Sequence, residues 1–178
     1  MKKIFTILIF AMIANLSGQE LKYEEVVSVD PAISKVELYN RARTWVANNF
    51  KSEKDAVVID DKDTGEVTGN GTIRYDPEVF YLGYSCAKGY INYKINLYVK
   101  DGRYKYSINS FNHEGTPCGI DGKGVITSYG LITMDKKSEN GPKAGWNEIK
   151  DLINVTVPKV INSLKEAMNK KHESSKDW

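Results

Sequence analysis

The dipeptide Asp101-Gly102, set between two long alternating segments, is the feature that most constrains the fold of this chain. Asp-Gly is favoured in the two-residue turns of β-hairpins, whose central residues adopt positive φ. On either side, residues 89–100 and 103–113 alternate apolar and polar side chains, which is the period of a half-buried strand. A two-residue turn pairs residues whose numbers sum to 203. The sequence therefore predicts a long hairpin with one core face and one solvent face.

The two faces of this predicted hairpin differ sharply in composition. The core face carries Ile91, Tyr93, Ile95, Leu97, Val99, Tyr104, Tyr106 and Ile108. The solvent face carries two cationic and two aromatic side chains among asparagines, and these four form a candidate binding face: Lys94, Tyr98, Lys105 and Phe111. Aromatic groups among polar ones can mark a binding surface. Scattered exposed aromatics are also ordinary, so an interpretation as a merely solvated face stays open.

A first amphipathic helix is predicted over residues 34–50. Ser34 and Glu37 have the spacing of a capping box. Apolar residues then recur at helical spacing, which indicates a helix that packs on a sheet. This stripe comprises Leu38, Tyr39, Ala42, Trp45, Val46 and Phe50.

A second apolar stripe runs from Trp146 to Met168 and passes through Pro158. Proline in a helix interior removes a hydrogen bond and clashes with the preceding turn, so we expect a kink or a division into two helices near Val157. Further strands are predicted at 21–30, 56–60 and 66–75, with another within 124–134. The acidic turn 61–65 lacks the later ligands of a calcium loop and predicts a hairpin turn. No metal or cofactor site is predicted.

Residues 1–18 have the layout of a secretory signal peptide, with a basic start, a short apolar middle and small residues at the end. Lipidation would need a cysteine where Gln19 stands, so no lipid anchor is expected. No later segment is apolar enough to be transmembrane. We therefore predict a protein exported to the periplasm or outside the cell. Residues 19–178 form one domain, with a polar, frayed tail from about residue 170.

The charge balance argues against a nucleic-acid partner. The chain has 25 basic and 23 acidic side chains. Loss of Lys2 and Lys3 with the signal peptide leaves 23 of each, so the mature chain is neutral. Nucleic-acid binding usually draws on a surplus of basic side chains that neutralise phosphates.

Two cysteines, Cys86 and Cys118, flank the open end of the hairpin. Continued in the same register, Cys86 faces residue 117, so a bridge to Cys118 is within reach. An oxidising compartment preserves such bridges, and closing a 32-residue loop contributes about 3–4 kcal/mol in the chain-entropy model. A disulfide is the favoured interpretation. A cysteine-dependent hydrolase that uses Cys86 and His113, or a zinc site that adds Cys118 to them, remains as an alternative.

Four stretches resemble a family of bacterial exported proteins of unknown function with a TBP-like fold. They are "SKVELYNRARTWVANNF", "IDDKDTGEVTGNGTI", "INYKINLYVKDGRYKYSI" and "WNEIKDLINVTVPKVINSLKEAM". The resemblance implies an α+β fold of order β-α-β-β-β-β-α, with a curved antiparallel sheet and two helices packed on one face. It covers most of residues 22–170 and departs at 76–88 and 112–143. It brings no catalytic residues, and a fold name alone does not imply DNA binding.

These observations together predict a non-catalytic exported envelope protein that binds or scaffolds an unknown ligand or envelope protein. The hydrolase is the second hypothesis, from a different functional class. Nucleic-acid binding is not expected.

Overall fold

Two helices cover one face of a curved antiparallel sheet, as the family resemblance implied. The computed structural model describes residues 19–50, 57–77, 87–117, 125–134 and 141–170. The elements are β1 (Tyr23–Ser28), α1 (Lys35–Asn49), β2 (Val57–Asp61), β3 (Glu66–Tyr75), β4 (Gly89–Lys100), β5 (Arg103–Gly115), β6 (Gly130–Leu131) and α2 (Lys143–Asn169). Cys86, Cys118, the predicted signal peptide and most of the C-terminal tail lie outside the described residues.

The sheet has the strand order β1-β5-β4-β3-β2, and the two-residue strand β6 pairs with β5. The long hairpin β4–β5 lies near its centre, and Gly102 in the turn has φ 67°. The second predicted hairpin turn, between β2 and β3, is also present. There the Asp61 carboxylate accepts backbone N–H groups from Asp63 (2.8 Å) and Thr64 (3.1 Å), and Gly65 has φ 79°.

A β-bulge in β5 changes the predicted register of the hairpin. From the turn as far as Lys94 opposite Asn109, paired residues sum to 203, as predicted. Beyond the bulge Asn92 faces Asn112, and the sum becomes 204. Ser110 occupies the left-handed region at φ 58°, which is typical of a bulge that inserts one extra residue. One inserted residue turns every later side chain to the opposite face.

The predicted solvent exposure of Phe111 was therefore wrong. Phe111 is fully buried on the core face. Its ring stacks on Tyr93 at 5.6 Å between centroids and meets Tyr23 edge-on at 5.9 Å. The prediction that Phe111 faces outward assumed a ladder without an insertion. The bulge at Ser110, immediately before Phe111, breaks that assumption.

Helix α1 begins as predicted, with the Ser34 hydroxyl accepting the Glu37 N–H at 3.2 Å. The whole predicted stripe of this helix is buried: Leu38, Tyr39, Ala42, Trp45, Val46 and Phe50. It lies against β3 and β4 and contacts α2. Trp45 Nε1 donates to Ser163 Oγ (3.0 Å), which joins the two helices above the core.

Helix α2 runs without interruption from Lys143 to Asn169, so the predicted division near Val157 does not occur. Pro158 lies on the exposed side of the helix, where the carbonyl that it leaves without a backbone donor can be hydrated. On the other side, the buried stripe continues past the proline and holds both halves on one core. It comprises Ile149, Ile153, Val157, Leu164 and Met168. Among the described residues, no helix is both long and apolar enough to cross a membrane.

Candidate functional site

Both helices pack on one side of the sheet, no helix among the described residues covers its other side, and we call that other side the outer face. Three of the four predicted binding residues lie on it: Lys94 and Tyr98 on β4, and Lys105 on β5. Phe111, the fourth, lies in the core. The outer face comprises Glu24, Val26 and Ser28 on β1, Ile59 and Asp61 on β2, Arg103, Lys105, Ser107, Asn109, Asn112 and Glu114 on β5, Tyr90, Asn92, Lys94, Asn96, Tyr98 and Lys100 on β4, and Glu66, Thr68, Asn70, Thr72 and Arg74 on β3.

Paired threonine and asparagine side chains fix the orientation of two amides on this face. Thr72 Oγ1 donates to Asn92 Oδ1 at 3.1 Å, and Thr68 Oγ1 donates to Asn96 Oδ1 at 3.1 Å. These contacts follow from the strand register, in which Thr72 faces Asn92 and Thr68 faces Asn96. Each amide oxygen is occupied by a hydroxyl donor, so each NH₂ group keeps its donor capacity for another partner.

A polar hollow of about 360 Å³ lies beside the bulge. It is lined by Asn70, Gly71, Thr72, Asn92, Tyr93, Lys94 and Ser110. Lys94 is exposed there and, within the described residues, has no ion-pair partner. The Ser110 N–H and hydroxyl both contact Glu20 Oε1, at 3.1 and 3.3 Å, which anchors the wall of the hollow to the N-terminal segment.

A second hollow of about 380 Å³ lies nearer the hairpin turn and combines apolar walls with cations. Val26 is 59% exposed and Tyr98 is 42% exposed, and the strand register places Lys105 between them. Its lining also includes Lys100, Arg103, Tyr104 and Lys105. Burial raises the pKa of Tyr98, and the charge of the nearby Glu66 carboxylate and its hydrogen bond with the phenol raise it further, so this phenol stays neutral.

The acidic side chains on the described outer face include Glu24, Asp61, Glu66 and Glu114, and Glu66 lies directly opposite Tyr98. Glu24 on the edge strand β1 pairs with Lys22 (2.7 Å) and Lys105 (3.1 Å). These hydrogen bonds, the one from Lys22 first, hold the pKa of Glu24 below its usual range. The only acid between residues 92 and 109 is Asp101 in the turn, which accepts the Lys35 N–H at 2.6 Å. The outer-face residues of β4 and β5 between Asn92 and Asn109, which we call the central strip, therefore present cations and neutral donors.

Comparison with known protein families identifies the family of this chain. The family model described as "Domain of unknown function (DUF4468) with TBP-like fold" matches residues 23–114, which is more than half of the chain. The chain belongs to the DUF4468 family. No curated protein matches it.

Two solved structures share the fold of this DUF4468 protein. One is a TBP-like protein from Parabacteroides distasonis ATCC 8503, with TM-score 0.63 and 16% identity, covering 86% of this chain and 95% of that one. The other is a DUF4468 family protein from Bacteroides ovatus ATCC 8483, with TM-score 0.59 and 13% identity, covering 87% and 90%. At these identities the likeness shows the fold alone, and the predicted TBP-like α+β architecture is confirmed.

His113 of this DUF4468 protein lies inside the core. The predicted register, in which paired numbers sum to 203, would place His113 opposite Tyr90. Beyond the bulge, His113 faces Ile91 instead. The imidazole is fully buried between the rings of Tyr75 (5.5 Å) and Tyr129 (5.3 Å). A general base must reach the proton that it removes, and this imidazole has no exposed surface.

The hydrogen bonds of His113 indicate a neutral ring. Its Nδ1 accepts the backbone N–H of Tyr129 at 3.1 Å, so the ring proton is on Nε2, which is buried and lacks a hydrogen-bond partner of good geometry. Burial lowers the pKa of His113, and the nearby Ala87 carbonyl only partly opposes that effect.

The β4–β5 ladder that leads toward the two cysteines can be followed only as far as its last described pairs. Gly89 faces Gly115, and the Thr116 N–H donates to the Lys88 carbonyl at 2.8 Å. Cys86 and Cys118 follow outside the described residues, so the disulfide and the zinc and hydrolase alternatives stay predictions. Within the described parts of the chain, no group of three or more acidic, histidine or cysteine side chains could hold a metal ion.

Sequence reasoning missed the two threonine–asparagine pairs and the hollow around Val26. Both depend on contacts between strands that are distant in sequence. A signal was present in the polar positions of β3, where Thr68, Asn70 and Thr72 recur at period two. Only the register of β3 against β4 turns that pattern into oriented amides.

Proposed function

We propose that this protein is a non-catalytic, exported binding module of the bacterial envelope, and that its ligand rests on the outer face. The observation that carries the proposal is the face itself, which no described helix covers. It combines the exposed apolar groups Val26 and Tyr98 with a strip of cations and oriented amides. Aromatic and apolar groups among polar ones can mark a binding surface.

The hydrolase alternative is disfavoured by the position of His113. A nucleophilic cysteine needs its base within hydrogen-bond reach and open to the substrate. The imidazole is enclosed by Tyr75 and Tyr129, and its Nδ1 accepts a hydrogen bond from the backbone N–H of Tyr129. Labelling the native, unreduced protein with a cysteine-reactive probe separates the two hypotheses, because an activated Cys86 would react and a bridged one would not.

Binding by the outer face is tested with a matched pair of double variants. Tyr98→Ser with Lys105→Ala alters the outer face, and Val155→Ala with Lys159→Ala removes one exposed apolar and one cationic group from α2. Each full chain is cross-linked in the native envelope, and the captured material is quantified against wild type. We expect at least a tenfold loss for the outer-face pair and none for the helix pair. Equal capture by wild type and the outer-face pair would refute the site.

Export is tested separately. In its native cell the protein should fractionate outside the cytoplasm, and mass spectrometry should find a mature N-terminus near Gln19. Retention of the uncleaved chain in the cytoplasm would contradict the envelope role. The capture experiment would then test binding by the outer face and not the location of the protein.

A further inference from the structure

The chemistry of the outer face points to one class of ligand, and this step rests on the proposed function. We infer that the outer face binds an acidic polysaccharide. The reasons are the donor character of the central strip, its charge, and the spacing of its aromatic groups.

Hydrogen-bond donors form a row along β4. Asn92, Lys94 and Asn96 follow one another on the same face, with both amide oxygens occupied by threonine hydroxyls. At about 3.3 Å per residue, the row from Asn92 to Lys100 is about 26 Å long. A ligand that matches it is extended and rich in acceptor oxygens, as a chain of sugar rings is.

The charge of the strip selects an anionic chain. Lys94, Lys100 and Arg103 have no ion-pair partner among the described residues, and Lys105 shares Glu24 with Lys22. Carboxylates spaced along a polymer would pair with these cations by charge-assisted hydrogen bonds, which are stronger than neutral ones. The apolar surface of Val26 and Tyr98 provides a place for the C–H face of a sugar ring.

Two other polyanions fit less well. A peptide gains much of its affinity from main-chain pairing at a sheet edge, whereas the middle of a sheet face offers only side chains. Single-stranded nucleic acid stacks successive bases on aromatic side chains. The exposed aromatics of β4, Tyr90 and Tyr98, are eight residues and therefore about 26 Å apart.

The inference is tested by titration calorimetry of the full chain against defined probes. The acidic probes are tetragalacturonate, a hyaluronan tetrasaccharide and a mannuronate tetramer. The comparison probes are maltotetraose, a glutamate octapeptide and an eight-nucleotide oligothymidylate. We expect at least one acidic saccharide to bind ten times or more tightly than every comparison probe.

Variants connect that binding to the oriented amides. Asn92→Ala with Asn96→Ala should weaken the best acidic saccharide at least tenfold, while Asn48→Ala with Asn162→Ala, on exposed helix positions, should leave it unchanged. Lys94→Met should weaken binding and reduce its salt dependence. Thermal melts check that each variant is folded.

Three outcomes would overturn the inference. They are no binding by any acidic saccharide, equal or tighter binding by the peptide or the oligothymidylate, and saccharide binding that the asparagine pair does not affect. Failure here, with envelope capture still lost in the Tyr98 and Lys105 variant, would refute the ligand class and leave the outer-face site standing. Failure of both would refute the site.

Discussion

Replacing Phe111 by alanine tests the register on which the description of both faces depends. The ring is fully buried, stacks on Tyr93 and meets Tyr23 edge-on. Truncating a buried phenylalanine removes its transfer free energy and leaves a cavity, which together cost about 3–5 kcal/mol. Without the bulge, the same ring would be on the outer face, where substitutions usually change stability by about 0.5 kcal/mol or less. The two registers therefore differ in their expected effect by several kcal/mol.

The assay is urea unfolding of the full chain, with the free energy of unfolding obtained from the midpoint and slope. Tyr98→Ala is the matched control, because it removes an aromatic ring of the same hairpin from the exposed face, and we expect it to cost less than about 1 kcal/mol. Phe111→Leu keeps the protein folded if alanine does not, and it should cost about 1–2 kcal/mol. A Phe111→Ala loss no larger than that of Tyr98→Ala, at an unchanged slope, would refute the inward placement.

Three further predictions concern the bulge, the buried histidine and the cysteines. Ser110→Val should be at least about 1 kcal/mol less stable than Ser110→Gly, the reverse of an ordinary strand position, because φ 58° disfavours a β-branched residue; equal midpoints in urea would contradict the bulge. Because burial lowers the native pKa of His113, the unfolded chain binds more protons than the native chain below pH 6.5. The free energy of unfolding should therefore fall from pH 7.5 to 5.5, by at most about 1.4 kcal/mol per pH unit, and should fall less in His113→Gln. Parallel pH profiles of the two proteins would contradict this. Unreduced, denatured protein should show no free thiol, and Cys86→Ser with Cys118→Ser should lower the free energy of unfolding by about 3–4 kcal/mol; two titratable thiols would rule out the bridge.

Local signals were enough to predict the helices and the turns. The Ser34 cap, the apolar stripe that follows it and the Asp101-Gly102 turn each act over a few residues, so the sequence displays them directly. The order of elements followed from these signals, and the family resemblance implied the same order. The paired faces near the turn were correct because the turn itself sets that register.

The sequence was least informative where distant contacts override a local rule. Pro158 disfavours a helix interior by about 3 kcal/mol, yet the buried stripe on both sides keeps α2 continuous. The bulge at Ser110 has no glycine or proline to announce it. It occurs where β5 stops pairing with β1 and begins to pair with β6, with Glu20 contacting Ser110 between them. That exchange of neighbours cannot be read from the strand alone.

The bulge also determines what the outer face can bind. An uninterrupted ladder would place the Phe111 ring outward, on the face that carries Lys94, and would favour an apolar partner there. The inserted residue turns that ring into the core and leaves Ser110 on the wall of a hollow lined by two asparagines, a threonine and a lysine together with Gly71 and Tyr93. Val26 and Tyr98 on the outer face lie near the hairpin turn beside the cations, and Tyr90 lies toward the other end of β4. One backbone irregularity thus completes the aromatic core and makes the middle of the outer face polar, which is why the proposed ligand is an acidic, oxygen-rich chain and not a hydrophobic one.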